Sequence, residues 1–378
     1  MQWNDEQRAL RAAVAELSDL LSKDHVTRDA TATFARGNWD RIRETGLLGL
    51  PFPVEWGGLG QDLLTTMYVL EGLGYSCRDA GLSFSVSTHM VSVGVPLQRF
   101  GSVALKERCL PGICDGSTIG AHAITEPDGG SDIMGMRTTA KRDGDEYVLS
   151  GNKVFVSNAP VADTFVVYAR TGRAGSPGAI SAFVVQRGTP GLTVGSPIGK
   201  MGLRSSPLSE IFLAECRVPV TNMIGSEGAG FLILDHVMKW EILCSFVVNV
   251  GEMQHRLERC ISQATTRVQF GQPIGSFQSV GNKIVEMKIA VETARKWLYD
   301  TAAKLVRNEN VTTDIAIAKL VTSEGNVESA LAAIQIFGGY GYTTEYGVEQ
   351  ELRNAVGGTI YSGTSEIQRQ RVARMLGI

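Results

Sequence analysis

Ala123-Ile124-Thr125-Glu126-Pro127-Asp128-Gly129-Gly130-Ser131-Asp132 marks the place where this chain changes character. Upstream of it the periodicity is helical. Leu10, Val14, Leu17 and Leu21 recur on one helix face, with Asn4 placed as the N-cap. A second helix is expected to end at Gly46-Leu47-Leu48-Gly49-Leu50-Pro51-Phe52-Pro53. Gly57-Gly58-Leu59-Gly60 then turns the chain into another, and helical stretches continue to about Cys114. From Gly116 to about Val220 short β-rich runs take over: Tyr147-Val148-Leu149, Phe165-Val166-Val167-Tyr168, Ala182-Phe183-Val184-Val185 and Glu210-Ile211-Phe212-Leu213. Gly144-Asp145, Ser176-Pro177-Gly178 and Gly188-Thr189-Pro190-Gly191 punctuate them, which predicts an all-β insertion forming a small barrel. Beyond Gly230 helices are predicted from Phe231 past Leu257, from Ser276 to Arg307, and from Asp314 to Phe337, where Gly338-Gly339 stops the last. Thr364 caps a short C-terminal helix. Long helices with apolar stripes form bundles. The chain therefore reads as mostly α with a central β domain: an N-terminal helical domain (1–115), the β domain (116–222) and a C-terminal helical bundle (223–378).

Composition narrows the class of function. A chain of 378 residues suits two or three domains, and its 43% hydrophobic content can build a core without disulfides or metals. With 36 basic and 39 acidic side chains and no long run of either sign, neither a nucleic-acid footprint nor a polybasic membrane patch is expected. The six cysteines (77, 109, 114, 216, 244 and 260) have no CxxC spacing and lie in apolar segments, which fits reduced thiols in a cytoplasmic protein. Five dispersed histidines give no metal-ligand pattern. Met1-Gln2-Trp3-Asn4-Asp5-Glu6 is unlike a signal peptide, and no apolar run reaches the ~18 residues of a membrane span.

Several constellations could carry chemistry. Gly129 and Gly130 let backbone approach a ligand closely, and Thr125 and Ser131 offer hydroxyls; taken alone, this is also an ordinary polar turn. Gly151-Asn152-Lys153-Val154-Phe155-Val156-Ser157-Asn158-Ala159 follows. Arg267-Val268-Gln269-Phe270-Gly271 precedes Phe277-Gln278, and an arginine fork suits a pyrophosphate, although a helix-end arginine is commonly just solvated. Gln335-Ile336-Phe337-Gly338-Gly339-Tyr340-Gly341 contains glycines that alone are only caps. Glu241 shares its helix face with Val237, Cys244 and Val248, so its carboxylate projects among apolar groups. Desolvation there raises the pKa toward that of a general base. The alternative is a glutamate paired with Lys239 or Arg256 that does no chemistry.

Taken in order, these stretches and Gly363-Thr364-Ser365-Glu366 resemble the acyl-CoA dehydrogenase superfamily over nearly the whole chain. The resemblance implies that family's architecture, with a β-barrel domain and a C-terminal four-helix bundle, and FAD as cofactor. By resemblance Thr125 bonds the flavin pyrimidine, and Ser131 touches both the cofactor site and the thioester-bearing ligand. Phe155, Val156 and Ser157 lie along the isoalloxazine, with Phe155 where many relatives have tryptophan. Arg267, Gln269, Phe270 and Gln278 reach the FAD of a neighbouring subunit, while Gln335, Gly338, Gly339, Thr364 and Glu366 supply the remaining cofactor contacts. Tyr361, Ser362 and Gly363 border the substrate. A homo-oligomer, commonly a tetramer, follows from a cofactor shared between subunits, with an electron-transferring flavoprotein or oxygen as acceptor.

Ile360-Tyr361-Ser362-Gly363-Thr364 places a serine where many relatives carry the catalytic glutamate. Glu241, ten residues before Gly251, resembles the catalytic glutamate of the isovaleryl-CoA dehydrogenase branch. Ile242 stands where relatives usually have arginine, which weakens the case for ordinary CoA recognition. Residues 78–85 and 95–102, together with Trp240-Glu241, resemble the prolyl-carrier-protein dehydrogenases of pyrrole-forming natural-product pathways. That implies an acyl or peptidyl carrier protein bearing a phosphopantetheine thioester, its L-prolyl group oxidised toward a pyrrolyl-2-carboxyl thioester. A short-chain or branched acyl-CoA dehydrogenase, a flavin monooxygenase on the same fold, and a scaffold without chemistry are the other readings. Met90, Val93, Leu97 and Phe246 are expected to set the volume of the acyl pocket.

Overall fold

The computed structural model describes residues 2–378. Asn4 caps the first helix, Asp5–Ala15: its side chain accepts the Gln7 amide at 2.8 Å, and the Gln7 side chain accepts the Asn4 amide at 2.9 Å. The apolar stripe beginning at Leu10 does not belong to one helix. The first stops at Ala15 and a short one, Ser18–Ser22, resumes it, burying Leu21 completely. Helices His25–Thr31, Arg36–Glu44, Leu63–Ser76, Ala80–Ser87, Val95–Phe100 and Val103–Cys114 follow, with a π-helical turn, Thr88–Gly94, between Ala80–Ser87 and Val95–Phe100.

The β domain is one eight-stranded sheet. Its path runs Leu192–Val194, Leu208–Pro219, Glu146–Ser157, Thr139–Asp143, Thr164–Arg170, Ile180–Gln186, Met223–Ile224, with Gly120–Ala123 pairing parallel to Thr164–Arg170. Among the described residues no pairing joins the two end strands, so hydrogen bonds do not close the expected barrel. The strand Glu146–Ser157 shifts register against Leu208–Pro219 between Lys153 and Val156. This irregularity puts Phe155 at φ 56° and turns its ring out of the core, as bulges near functional sites do.

Three long helices build the C-terminal bundle: Gly230–Thr266, Gln278–Val306 and Thr312–Phe337. Its fourth side is filled by two shorter helices, Val348–Gly357 and Ser365–Met375, both packed on Thr312–Phe337. From Ile242 to Gly251 every residue of the first long helix is buried, because other helices cover it on several sides. Leu63–Ser76 approaches closest. A Cβ on Gly74 would lie 2.0 Å from the Val248 carbonyl oxygen, and one on Gly251 would lie 2.1 Å from that of Glu71. These two glycines let the backbones touch and fix how far Glu241 reaches from the bundle toward the N-terminal domain. No helix among the described residues is long and apolar enough to cross a membrane, and none of their His, Cys, Asp and Glu side chains form a metal-binding group of three or more.

Candidate active site

Glu241 is partly buried, and each of its oxygens accepts one hydroxyl. Ser362 donates to Oε1 at 2.5 Å and Ser92 to Oε2 at 2.8 Å. Among the described residues no cation pairs with it. Lys239 is engaged by Asp235 at 2.6 Å and Arg256 by Glu351 at 2.6 Å, which removes both partners of the non-catalytic alternative. Burial pushes the carboxyl pKa up, and the hydroxyls of Ser362 and Ser92 only partly oppose it. The result is a desolvated carboxylate held in one plane, with its oxygens keeping spare lone pairs: the properties of a general base.

The aim of Ser362 is set by its surroundings. Its backbone sits at φ 55°, followed by Gly363 at φ 86°, a left-handed pair that costs a non-glycine residue on the order of 1 kcal/mol. The Tyr361 ring wedges the turn, 4.9 Å from Phe84 and 5.3 Å from Phe246 between centroids, and Gln368 donates to the Ser362 carbonyl at 3.0 Å. The Tyr361 hydroxyl donates to Asn249 Oδ1 at 3.4 Å. Met90, Val93, Leu97 and Phe246 are each 0% exposed. They belong to the buried core.

A second group assembles on the β domain. Glu126 anchors it: its carboxylate takes the fully buried Lys153 ammonium at 2.8 Å and the amides of Arg137 and Thr138 at 2.7 and 2.8 Å. Breaking such a buried pair typically costs ~3–5 kcal/mol. The Val154 amide donates to the Thr125 carbonyl at 2.9 Å, which brings Thr125 beside the 153–157 stretch. Phe155 is 62% exposed, an uncovered aromatic face, whereas Val156 turns into the core and can offer a ligand only its backbone. Ser157 is partly buried, and Ser131 is exposed two residues beyond the turn that the Glu126–Gly129 backbone pair closes.

A third group lines a cavity of about 690 Å³ at the end of the bundle: Arg267, Gln269, Phe270, Gln335, Gly338 and Gly339. The hairpin Val268–Gln269/Gln272–Pro273 turns through Phe270 and Gly271 at φ 51° and 79°, the doubly left-handed turn that matches strand twist. It leaves Phe270 93% exposed. Gly338 has φ 60° and ψ −132°, and no atom lies within 4 Å of where its Cβ would be, so the chain passes with open space beside it. Gln278 does not line the cavity; its neighbours Phe277 and Ser279 do. Thr364 caps Ser365–Met375 by accepting the Ile367 amide at 3.3 Å, with Glu366 exposed in the first turn. The Thr125–Ser157 group does not reach this cavity within one chain. Sequence reasoning missed Ser92 and the Glu126–Lys153 anchor. Glu126 lay inside the quoted motif, but nothing local marks Ser92.

The acyl-CoA dehydrogenase N-terminal domain family matches residues 4–117, the middle domain 121–216 and the C-terminal domain 228–377. An L-prolyl-[peptidyl-carrier protein] dehydrogenase of Serratia sp. is 39% identical over 99% of this chain and 97% of its own. Among solved structures, the prolyl acyl carrier protein oxidase AnaB superposes with a TM-score of 0.97 at 41% identity, covering all of both chains. PigA with FAD and proline gives 0.96 at 38% identity, covering 100% of this chain and 99% of that one. Three domains matched in order, and relatives aligned end to end on this geometry, show that the chain belongs to the acyl-CoA dehydrogenase family.

Proposed function

We propose that this chain is an FAD-dependent dehydrogenase of a carrier-bound prolyl thioester. Conversion of prolyl to pyrrolyl removes four hydrogens in two successive two-electron oxidations. The observation that carries the reading is the Glu241 carboxylate, gripped by two hydroxyls with no counter-cation among the described residues, in a chain two of whose relatives, at 39% and 40% identity, are named for that substrate. Glu241 takes the proton alpha to the thioester carbonyl, and its raised basicity suits that weakly acidic C–H. FAD, when bound, accepts the two electrons that leave the substrate.

The residues present fit the cofactor. Phe155 offers an uncovered ring beside Thr125 and Ser157, and Arg267 and Gln335 converge on a cavity suited to the dinucleotide's phosphates and adenosine. These two groups are separate in one chain and Phe270 projects bare from its hairpin, which supports a homo-oligomer, read as a tetramer, in which the hairpin reaches a neighbouring copy's cofactor. Arg267→Ala should lose FAD and loosen the assembly, seen by released flavin and by sizing chromatography. Ile242 is fully buried and apolar, so no side chain there greets a charged ligand, which favours a carrier protein over free CoA.

Anaerobic incubation with L-prolyl-peptidyl carrier protein, beside a panel of acyl-CoAs, tests the whole reading. Flavin bleaching and stepwise mass loss confined to the prolyl carrier are the expected result. Equal reduction by acyl-CoAs, or no hydrogen loss from the prolyl carrier, refutes it.

A further inference from the structure

Thr88–Gly94 is a π-helical turn that continues Ala80–Ser87 and leads into Val95–Phe100, and all seven of its residues are buried. Such turns are uncommon and are held by their surroundings. Here His89 bonds on both sides, Nε2 to the Ile113 carbonyl at 2.9 Å and Nδ1 to the Gly120 amide at 3.0 Å. Gly94 makes room for the Phe52 ring, which a Cβ would approach to 2.3 Å; a Cβ on Gly120 would meet Val93 at 2.7 Å.

The turn has a geometric consequence. Ser87 shares a hydrogen bond with Ser245 at 3.2 Å, and Ser92 donates to Glu241 at 2.8 Å. The two serines are five residues apart, while Glu241 and Ser245 are one α-helical turn apart on the facing helix. In an α-helix a five-residue step rotates a side chain roughly 140° off its face. In a π-turn, whose hydrogen bonds join residues five apart, the same step rotates far less. The π register thus brings both serines to the helix Gly230–Thr266.

We propose that Ser92 is a positioning residue for Glu241, delivered by the π-turn to fix the carboxylate plane and favour its ionised form. Ser362 performs the matching task on the other oxygen. This rests on Glu241 being the base. The ionisable groups facing Glu241 are the phenols of Tyr168, on Thr164–Arg170, and Tyr361, both held neutral by burial. On its own helix the Cys244 thiol is also held neutral, and His122, 5.2 Å from the Tyr168 ring, is pushed down to about 3. The Tyr361 phenol also meets Glu252, which burial lifts to about 7, so the acid limb belongs to Glu241 where it moves together with the carboxyl band that Glu241→Gln removes.

The test is the pH profile of anaerobic flavin reduction by L-prolyl-peptidyl carrier protein, for Ser92→Ala, Ser92→Thr and Ser92→Cys. Loss of a hydrogen bond to the ionised form moves the limb to higher pH, by about one unit for Ala. Reduction then falls ~10-fold well below the limb and little above it. Thr, which keeps the hydroxyl, should hold the limb in place. Cys keeps a similar volume with a weak donor, so it should move the limb even if Ala folds poorly. Infrared pH titration of the carboxyl band that vanishes in Glu241→Gln should show the same shift without turnover. An unmoved limb and band with a lowered plateau in Ala and Cys would overturn the role of Ser92. Wild-type reduction by Glu241→Gln would instead remove the base reading itself.

Discussion

Glu241 on the helix Gly230–Thr266 and Glu351 packed against that helix are both withdrawn from water, and their pKa values move in opposite directions. Glu351 is met by Arg78, Arg256 and Arg259 at 2.7, 2.6 and 2.7 Å. Burial pushes its pKa up, and the three guanidiniums together outweigh that and hold it at about 2. Glu252, one turn before Arg256, accepts only the Asn249 side chain at 3.0 Å, and burial lifts it to about 7 against the pull of Arg256. Glu241 has two hydroxyls and no cation, and burial prevails. Withdrawal from water is thus common to all three carboxylates, and cation contact decides the outcome. Glu351 ties Arg78 of the N-terminal domain to the bundle, while Glu241 retains the basicity that a structural ion pair would have quenched.

The comparison can be broken most sharply at Glu241. Glu241→Gln is nearly isosteric and should keep the fold and FAD, yet flavin reduction by substrate should fall by ~10²–10⁴-fold in rapid-mixing traces. Next in size is Arg256→Ala. It strips one guanidinium from Glu351 and leaves the Asn326 carbonyl and side chain without their donor, so denaturant unfolding should show a loss of ~3–5 kcal/mol.

Acid provides the third test. The folded pKa of Glu351 lies near 2, below its unfolded value near 4.5, so its stabilisation is complete above the unfolded value. It should be lost as pH falls from about 4.5 through 2, on the order of 3 kcal/mol in all. Thermal unfolding across that window in wild type and Glu351→Gln checks it, and the two curves should converge at the acid end.

Glu241 carries the opposite sign. Its folded pKa is raised, so ionising it weakens the fold as pH climbs past the unfolded value. Glu241→Gln should therefore melt at or slightly above wild type at pH 8, with the difference shrinking toward pH 4. Smallest of all is Ser362→Ala. Its hydroxyl grips the base and moves no proton itself, so reduction at the plateau should stay within roughly a factor of ten.

Much of this molecule was legible from residue order. The three-domain division, the Asn4 and Thr364 caps, the stop at Gly338 and the β runs all follow from local periodicity and turn chemistry. The break after Ala15 was not legible, because the stripe continues in register across it. Arg267, Gln269, Phe270, Gln335, Gly338 and Gly339 are grouped by resemblance to the family, and the structure brings those six residues to one cavity. Gln278, from the same motif, lies outside that cavity.

For Glu241 the sequence determined a carboxylate on the apolar face of a long helix, since side-chain direction follows from helical period. It left open whether Lys239 or Arg256 would neutralise that charge. Only the tertiary structure sent those cations to Asp235 and Glu351 and brought in hydroxyls from 149 and 121 residues away. A π-turn has no signature in residue order, because it exists where packing against Phe52, Gly120 and Ile113 makes the wider register cheaper than the α one. Ionisation in a core depends on which groups meet through space, and that is fixed when the domains close on one another.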